Sequence, residues 1–156
     1  METIQNTNTL FQVAEVELSY KSNIKNVDRI KVSNSREVYN LLLANWDKTK
    51  IEYVEQFKIL LLNRANKVIG IYEVSSGGTT GTVADPKLIF TAALKLNANS
   101  IILCHNHPSG NLTPSEEDMK LTRKIKEAGL LLDLLVIDHM IISNEGYYSF
   151  SDEGKV

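Results

Sequence analysis

Two histidines, His105 and His107, stand two residues apart directly after the apolar run Ser100-Ile-Ile-Leu-Cys104. Side chains two apart in an extended chain project to the same side, so both imidazoles can reach one ion. Cys104 and Asn106 alternate to the other side, which makes Cys104 a small buried hydrophobe and not a third ligand. The next candidate follows a short loop rich in turn formers, Pro108-Ser-Gly-Asn-Leu-Thr113. There, Thr113-Pro-Ser-Glu116 matches a capping box with proline at the first helical position, which predicts a helix to about Gly129 with Thr113 as its N-cap. Ser115 and Asp118, three apart in the first turns of that helix, share a face that can look back at the histidines.

Two neutral imidazoles and one carboxylate make three protein ligands. Zinc prefers four, so an open position for water is expected, which is what separates a catalytic zinc site from a structural one. Water there would reach a pKa of roughly 7, and the ion would also polarise a carbonyl under attack. Ser115, on the Asp118 face, is placed to donate a hydrogen bond to the developing oxyanion. A histidine pair alone is usually surface decoration, Asp118 alone a helix-start charge and Ser115 alone a capping residue; the expectation of zinc rests on the four together.

The elements that must position these residues are legible in the hydrophobic pattern. Asn34 or Ser35 can cap a helix carrying Val38, Leu41 and Leu42 on one face and ending near Trp46. The segments 55–62 and 67–74 flank the polar turn Asn63-Arg-Ala-Asn66, as in a hairpin. Asp85-Pro86 predicts an N-cap and first helical residue, with Leu88, Ile89, Ala92, Ala93 and Leu96 at helical spacing behind it. The runs 131–142 and 147–150 read as strands joined by a turn at Ser143-Asn-Glu-Gly146. Residues 1–34 are expected to be a leader whose alternation from Val13 to Tyr20 forms an edge strand. The fold class is α/β or α+β, with a mixed sheet, two main helices, and the strands at Phe57–Leu62 and Ile101–Cys104 in its centre.

With these residues in view, the string His105-Asn-His107, Ser115, Asp118 resembles the motif of the JAMM (MPN+) metalloproteases. The wording His105-Asn-His-Pro-Ser-Gly110 and Pro114-Ser-Glu-Glu-Asp118 resembles the RadC-like branch of that family. The resemblance runs from about Ser35 to Phe150 and takes in Asp138-His139 and Tyr147-Tyr-Ser-Phe150. It implies an α/β JAMM/MPN-like (cytidine-deaminase-like) domain over residues 35–156, with His105, His107 and Asp118 as Zn²⁺ ligands and Ser115 steadying the tetrahedral intermediate. It also implies an upstream glutamate that activates water. Glu55 fits first, because it directly precedes the strand that follows the first helix; Glu73, beside the glycine-rich run Ser75–Gly81, and Glu37 stand behind it.

The implied activity is a zinc hydrolase acting on a peptide or an isopeptide-linked protein, with a DNA-repair-associated factor and a non-catalytic scaffold as the alternatives. The 156 residues carry 17 basic and 19 acidic side chains, and a net charge of −2 gives no reason to infer a nucleic-acid or anionic-membrane partner. The basic stretch Lys120, Arg123, Lys124, Lys126 reads as a solvated helix face. Longer RadC-like proteins have a DNA-binding helical hairpin, yet residues 1–69 contain no glycine for such a turn. Three convergent ligands with an open position serve no purpose in a scaffold. One cysteine excludes an internal disulfide and fits a reducing compartment, and no run is long enough to cross a bilayer, so a cytoplasmic protein is expected. His139, within the apolar run Val136–Ile142, is expected to be a hydrogen-bonded core histidine, with a role supporting the metal ligands from behind as the alternative, and not a ligand itself.

Overall fold

The computed structural model describes residues 13–17, 19–77 and 82–156. Two apolar runs form its middle. β1 (Gln56–Leu62) and β3 (Ser100–Asn106) are buried at every position, as strands covered on both faces must be. Around them the sheet has the order β2-β1-β3-β4-β5, with β2 at Val68–Ser76, β4 at Leu135–Ile142 and β5 at Tyr147–Ser149. β3 and β4 are parallel and the other neighbours antiparallel, so the sheet is mixed, as expected.

Period-two alternation divides the central strands between two cores. Leu60, Leu62, Ile102, Cys104, Met140 and Ile142 face α1 (Ser35–Asn45), which buries Val38, Tyr39 and Leu42 against them. Asn34 caps this helix by accepting from Glu37 N at 2.9 Å, while the Glu37 carboxylate accepts from Ser33 N at 2.7 Å. On the other face, Phe57, Ile59, Leu61, Ile101 and Leu103 pack against α2 (Pro86–Lys95) and α3 (Glu116–Leu130). α2 begins as its sequence predicts, with Asp85 accepting from Lys87 N and Pro86 in the first turn. Each fully buried Leu or Ile on either face contributes roughly 1.5–3 kcal/mol of burial.

Parallel strands need a crossover, and α3 supplies the one between β3 and β4. Its far end returns tightly: Leu134 N donates to Gly129 O at 2.9 Å, and a Cβ built on Gly129 would lie 2.4 Å from Leu134 O. Only a residue without a side chain lets α3 close on β4 there.

Two expectations are corrected. The leader forms no strand among its described residues: Val13 and Val16 are 91% and 81% exposed. Alternation requires a partner strand and a core face; among the described residues the chain before α1 instead meets this side of the sheet through the isolated bridge Lys31 to Lys67 in the hairpin connection, Val68 N donating to Ile30 O at 2.8 Å, and the Tyr20 hydroxyl donating to Ile69 O. Leu10, Phe11, Gln12 and Leu18, which belong to the expected strand, lie outside the described residues. The hairpin connection runs through Lys67, one residue longer than expected, because Asn63 Oδ1 accepts from both Ala65 N and Lys67 N and Asn66 turns the chain at φ 56°.

Candidate metal centre

The crossover starts at the C-terminal end of β3, where strand end and helix start enclose a shared space. His105 is paired with Phe57 across β1 and stacks on its ring at 5.8 Å. His107 lies just beyond the strand, its N–H donating to Ile142 O at 3.2 Å. Both rings therefore sit on the α3 face, and Cys104 and Asn106 on the α1 face, as the alternation predicts.

His105 Nε2 lies 3.0 Å from His107 Nε2 and 3.2 Å from Asp118 Oδ1. Among the described residues this is the one group of three His, Cys, Asp or Glu side chains whose ligand atoms fall within 4.8 Å of one another. Ligand atoms around a tetrahedral zinc stand about 3.3 Å apart, given Zn–N and Zn–O bonds of about 2.0–2.1 Å. The outer nitrogens fix what the inner ones carry. His107 Nδ1 contacts the Asn111 carbonyl, which can only accept, so Nδ1 holds the proton and Nε2 the lone pair. His105 Nδ1 meets His139 Nε2 at 2.9 Å, and again the inward nitrogen is Nε2. With a lone pair on His105 Nε2 as well, the three converging atoms would repel one another unless a cation lay between them. The donor set fits a borderline metal ion of the zinc type.

Ser115 and Asp118 form a reciprocal unit at the start of α3. Ser115 Oγ accepts from Asp118 N at 3.1 Å, while Asp118 Oδ2 accepts from Ser115 N and Ser115 Oγ, each at 2.7 Å. Oδ2 is thereby tethered and Oδ1 is turned to the histidines. Ser115, and not Thr113, is the N-cap: two capping boxes overlap in this stretch, and the one closed by Asp118 wins with three bonds, two of them to a carboxylate. Thr113 instead donates its N–H to Asn111 Oδ1. Burial by itself would raise the Asp118 carboxyl, but the adjoining His105 ring and the bonds from Ser115 N and Oγ outweigh it and hold it well below the usual carboxylate range.

The three glutamates part company. Continuing the register in which Phe57 faces His105 brings Glu55 opposite His107, on the same side of the sheet. Glu55 is half-buried and accepts from Thr82 N at 3.2 Å, on the segment that leads into α2. Glu73 is held at 2.8 Å by Gln56 Nε2 and lies 3.7 Å from Lys58 Nζ, whose ammonium covers the Trp46 ring on the α1 face. Glu37 belongs to the α1 cap. Of the glycine-rich run, residues 78–81 lie outside the described residues; Gly77 N donates to Glu55 O.

Two residues that sequence reasoning passed over help to build the site. Asn106, fully buried between the histidines, donates to Ile51 O at 2.7 Å and Val54 O at 2.9 Å and accepts from Gln56 N at 2.8 Å. It brackets Glu55 on both sides. Thr122, four residues after Asp118, places Oγ1 2.6 Å from Asp118 O and 2.6 Å from His139 Nδ1. His139 is buried as expected, stacked on Phe150 at 4.7 Å. Burial, reinforced by His105, pushes its imidazole well below the usual histidine range, so it is neutral. An open depression lined by Glu52, Pro108, Ser143 and Glu145 adjoins His107.

No helix among the described residues is long and apolar enough to cross a membrane. Residues 32–155 match the model of the RadC-like JAB domain. The chain is 40% identical over 143 residues to a UPF0758 protein of Flavobacterium johnsoniae, covering 91% of this chain and 61% of that protein. It is 35% identical over 142 residues to a UPF0758 protein of Symbiobacterium thermophilum, covering 91% and 59%. The chain thus spans about 60% of the length of these curated relatives. A five-stranded mixed sheet, a His-His-Asp group at the end of its central strand and a family match over most of its length agree: the chain belongs to the RadC-like JAB domain family.

Proposed function

We propose that this domain is a zinc-dependent hydrolase that cleaves peptide or isopeptide bonds. The observation that carries the reading is the convergence of His105 Nε2, His107 Nε2 and Asp118 Oδ1, with the outer nitrogen of His107 on the Asn111 carbonyl and that of His105 on His139 Nε2. Bound there, Zn²⁺ supplies Lewis acidity, bringing a water to a pKa of roughly 7 and polarising the substrate carbonyl. Glu55, half-buried on the histidine side, takes a proton from the attacking water and returns it to the leaving nitrogen, so one carboxylate serves both steps. Ser115 Oγ donates to the oxyanion by turning away from Asp118 Oδ2, which Ser115 N continues to hold. The lone, buried Cys104 suits a reducing, cytoplasmic setting.

The test is zinc content by elemental analysis together with hydrolysis of linear and isopeptide-linked substrates. Glu55→Gln is expected to keep zinc and lose nearly all hydrolysis, whereas Glu73→Gln keeps both. A metal-free protein after purification without chelators, or hydrolysis that survives Glu55→Gln, overturns the reading.

A further inference from the structure

We propose that His139 and Thr122 are positioning residues, forming a one-way hydrogen-bond relay that sets the tautomer of His105 and ties it to the helix carrying Asp118. The inference rests on the metal-centre reading above and deepens it.

The direction of the relay follows from its one unambiguous end. Asp118 O is a carbonyl and can only accept, so the Thr122 hydroxyl, 2.6 Å away, spends its proton there. Thr122 Oγ1 must then accept from His139 Nδ1, also at 2.6 Å, which makes Nδ1 the protonated nitrogen of that ring. A neutral His139 is left with a lone pair on Nε2, and this faces His105 Nδ1 at 2.9 Å. His105 Nδ1 therefore donates, and its Nε2 presents a lone pair toward Asp118 Oδ1 and His107 Nε2. The circuit runs from the backbone of one ligand to the ring of another through three elements, α3, β4 and β3.

A core histidine that only fills space would account for the stacking on Phe150 and the edge contact with Phe57. It has no need of two directed bonds that end on two ligand residues. Partners of metal-binding histidines fix the tautomer and ring orientation, and losing them typically costs 10–100-fold in metal affinity.

The experiment uses the full chain, ¹⁵N-labelled and metal-free, at about pH 8, where neutral histidine dominates. Long-range ¹H–¹⁵N spectra read the tautomer of each imidazole directly. The relay requires His105 and His139 to be Nδ1–H in the wild type. Thr122→Val, which removes the acceptor but keeps the shape, is expected to abolish the His105 Nδ1–H preference, and Thr122→Ser to restore it. Zn²⁺ affinity, measured by competition with a chromophoric chelator, is expected to fall about 10–100-fold in Thr122→Val and in His139→Phe. His139→Gln, which can accept from His105 and donate to Thr122, should recover to within a few-fold of wild type. His105 found as Nε2–H in the wild type overturns the relay, as does a Thr122→Val protein with unchanged tautomer. Zinc binding that is normal in both Thr122→Val and His139→Phe also overturns it. A wild type that binds no Zn²⁺ at all sinks the hydrolase reading instead, and the tautomer spectra still decide the relay.

Discussion

The two faces of the central sheet are built from the same strands and differ in what they do with polar side chains. On the α1 face, polar groups are locked against their own neighbours: Lys58 lies over Trp46, Glu73 is held by Gln56, and the Cys104 thiol is pushed well above its ordinary range by burial. On the α3 face, the apolar ladder Ile101, Leu103 ends one step later in His105, and Phe57 is preceded by Glu55 two residues earlier. A change of parity by one residue would exchange the two sets. The difference teaches that strand register decides which titratable groups converge on the candidate metal centre, and composition does not.

The largest expected effects separate the faces cleanly. Leu42→Ala, in the α1 core, should lose about 2–5 kcal/mol in urea unfolding while Zn²⁺ binding persists. His107→Ala should do the reverse, with affinity falling beyond the roughly 100-fold that outer-shell changes produce and little loss of metal-free stability. If Leu42→Ala abolished metal binding in the folded protein, the faces would not be independent.

Asn106 is where the comparison is most open to being broken, because its side chain lies on the α1 side yet holds the backbone around Glu55. Asn106→Ala strands three backbone groups, two of them in buried bonds, and a loss of about 3 kcal/mol in unfolding is expected. Under the hydrolase reading it should also lower turnover while zinc content is kept. A smaller effect concerns the helix start. Ser115→Ala should cost about 1 kcal/mol and weaken metal binding by loosening Asp118 Oδ2, whereas Thr113→Ala should be close to neutral in thermal unfolding.

The smallest expected effect sharpens the contrast through pH. Burial raises the Asp138 carboxyl above its ordinary value, against the opposing bonds from Ser149 Oγ, Ser151 N and His139 N. A carboxyl raised on folding is protonated more readily in the native state than in the unfolded one. Its contribution is therefore favourable below its ordinary value, and stability is lost as pH rises through the window up to the raised value. Asp138→Asn keeps acceptors for both N–H groups at Oδ1 and removes this dependence. Relative to wild type, the variant should be more stable at pH 7 than at pH 4; the opposite trend would mean that Asp138 is held charged.

Much of this was readable from the chain because the signals were local. Asp85-Pro86 at α2, the burial of the runs 56–62 and 100–106, and the shared side of His105 and His107 all follow from spacing within a few residues. The Thr113 cap was misread because two boxes overlap, and only the carboxylate geometry of Asp118 decides between them. Among its described residues the leader's alternation was a local pattern without a partner strand, and Val68 of β2 bonds to Ile30 instead. The roles of Asn106 and Thr122, and the partners through which His139 could act, were out of reach for a different reason. Their partners lie 55, 17 and 34 residues away, so only the assembled sheet and crossover make them neighbours. A polar residue at i+4 from a candidate ligand was the one local hint that Thr122 faced the site.

The absent side chain of Gly129 sets a tolerance for the whole centre. It lies eleven residues along α3 from Asp118, a span of about 16 Å, and α3 behaves over that length as a stiff rod. One added carbon at Gly129 would press on Leu134 O at 2.4 Å, and the rod would lift or tilt away from β4. Thr122 and Asp118 ride on that rod, while His139 and His105 stay with the sheet. A methyl group remote from His105, His107 and Asp118 would thus detune the candidate metal centre mechanically, leaving its residues unchanged and its dimensions wrong.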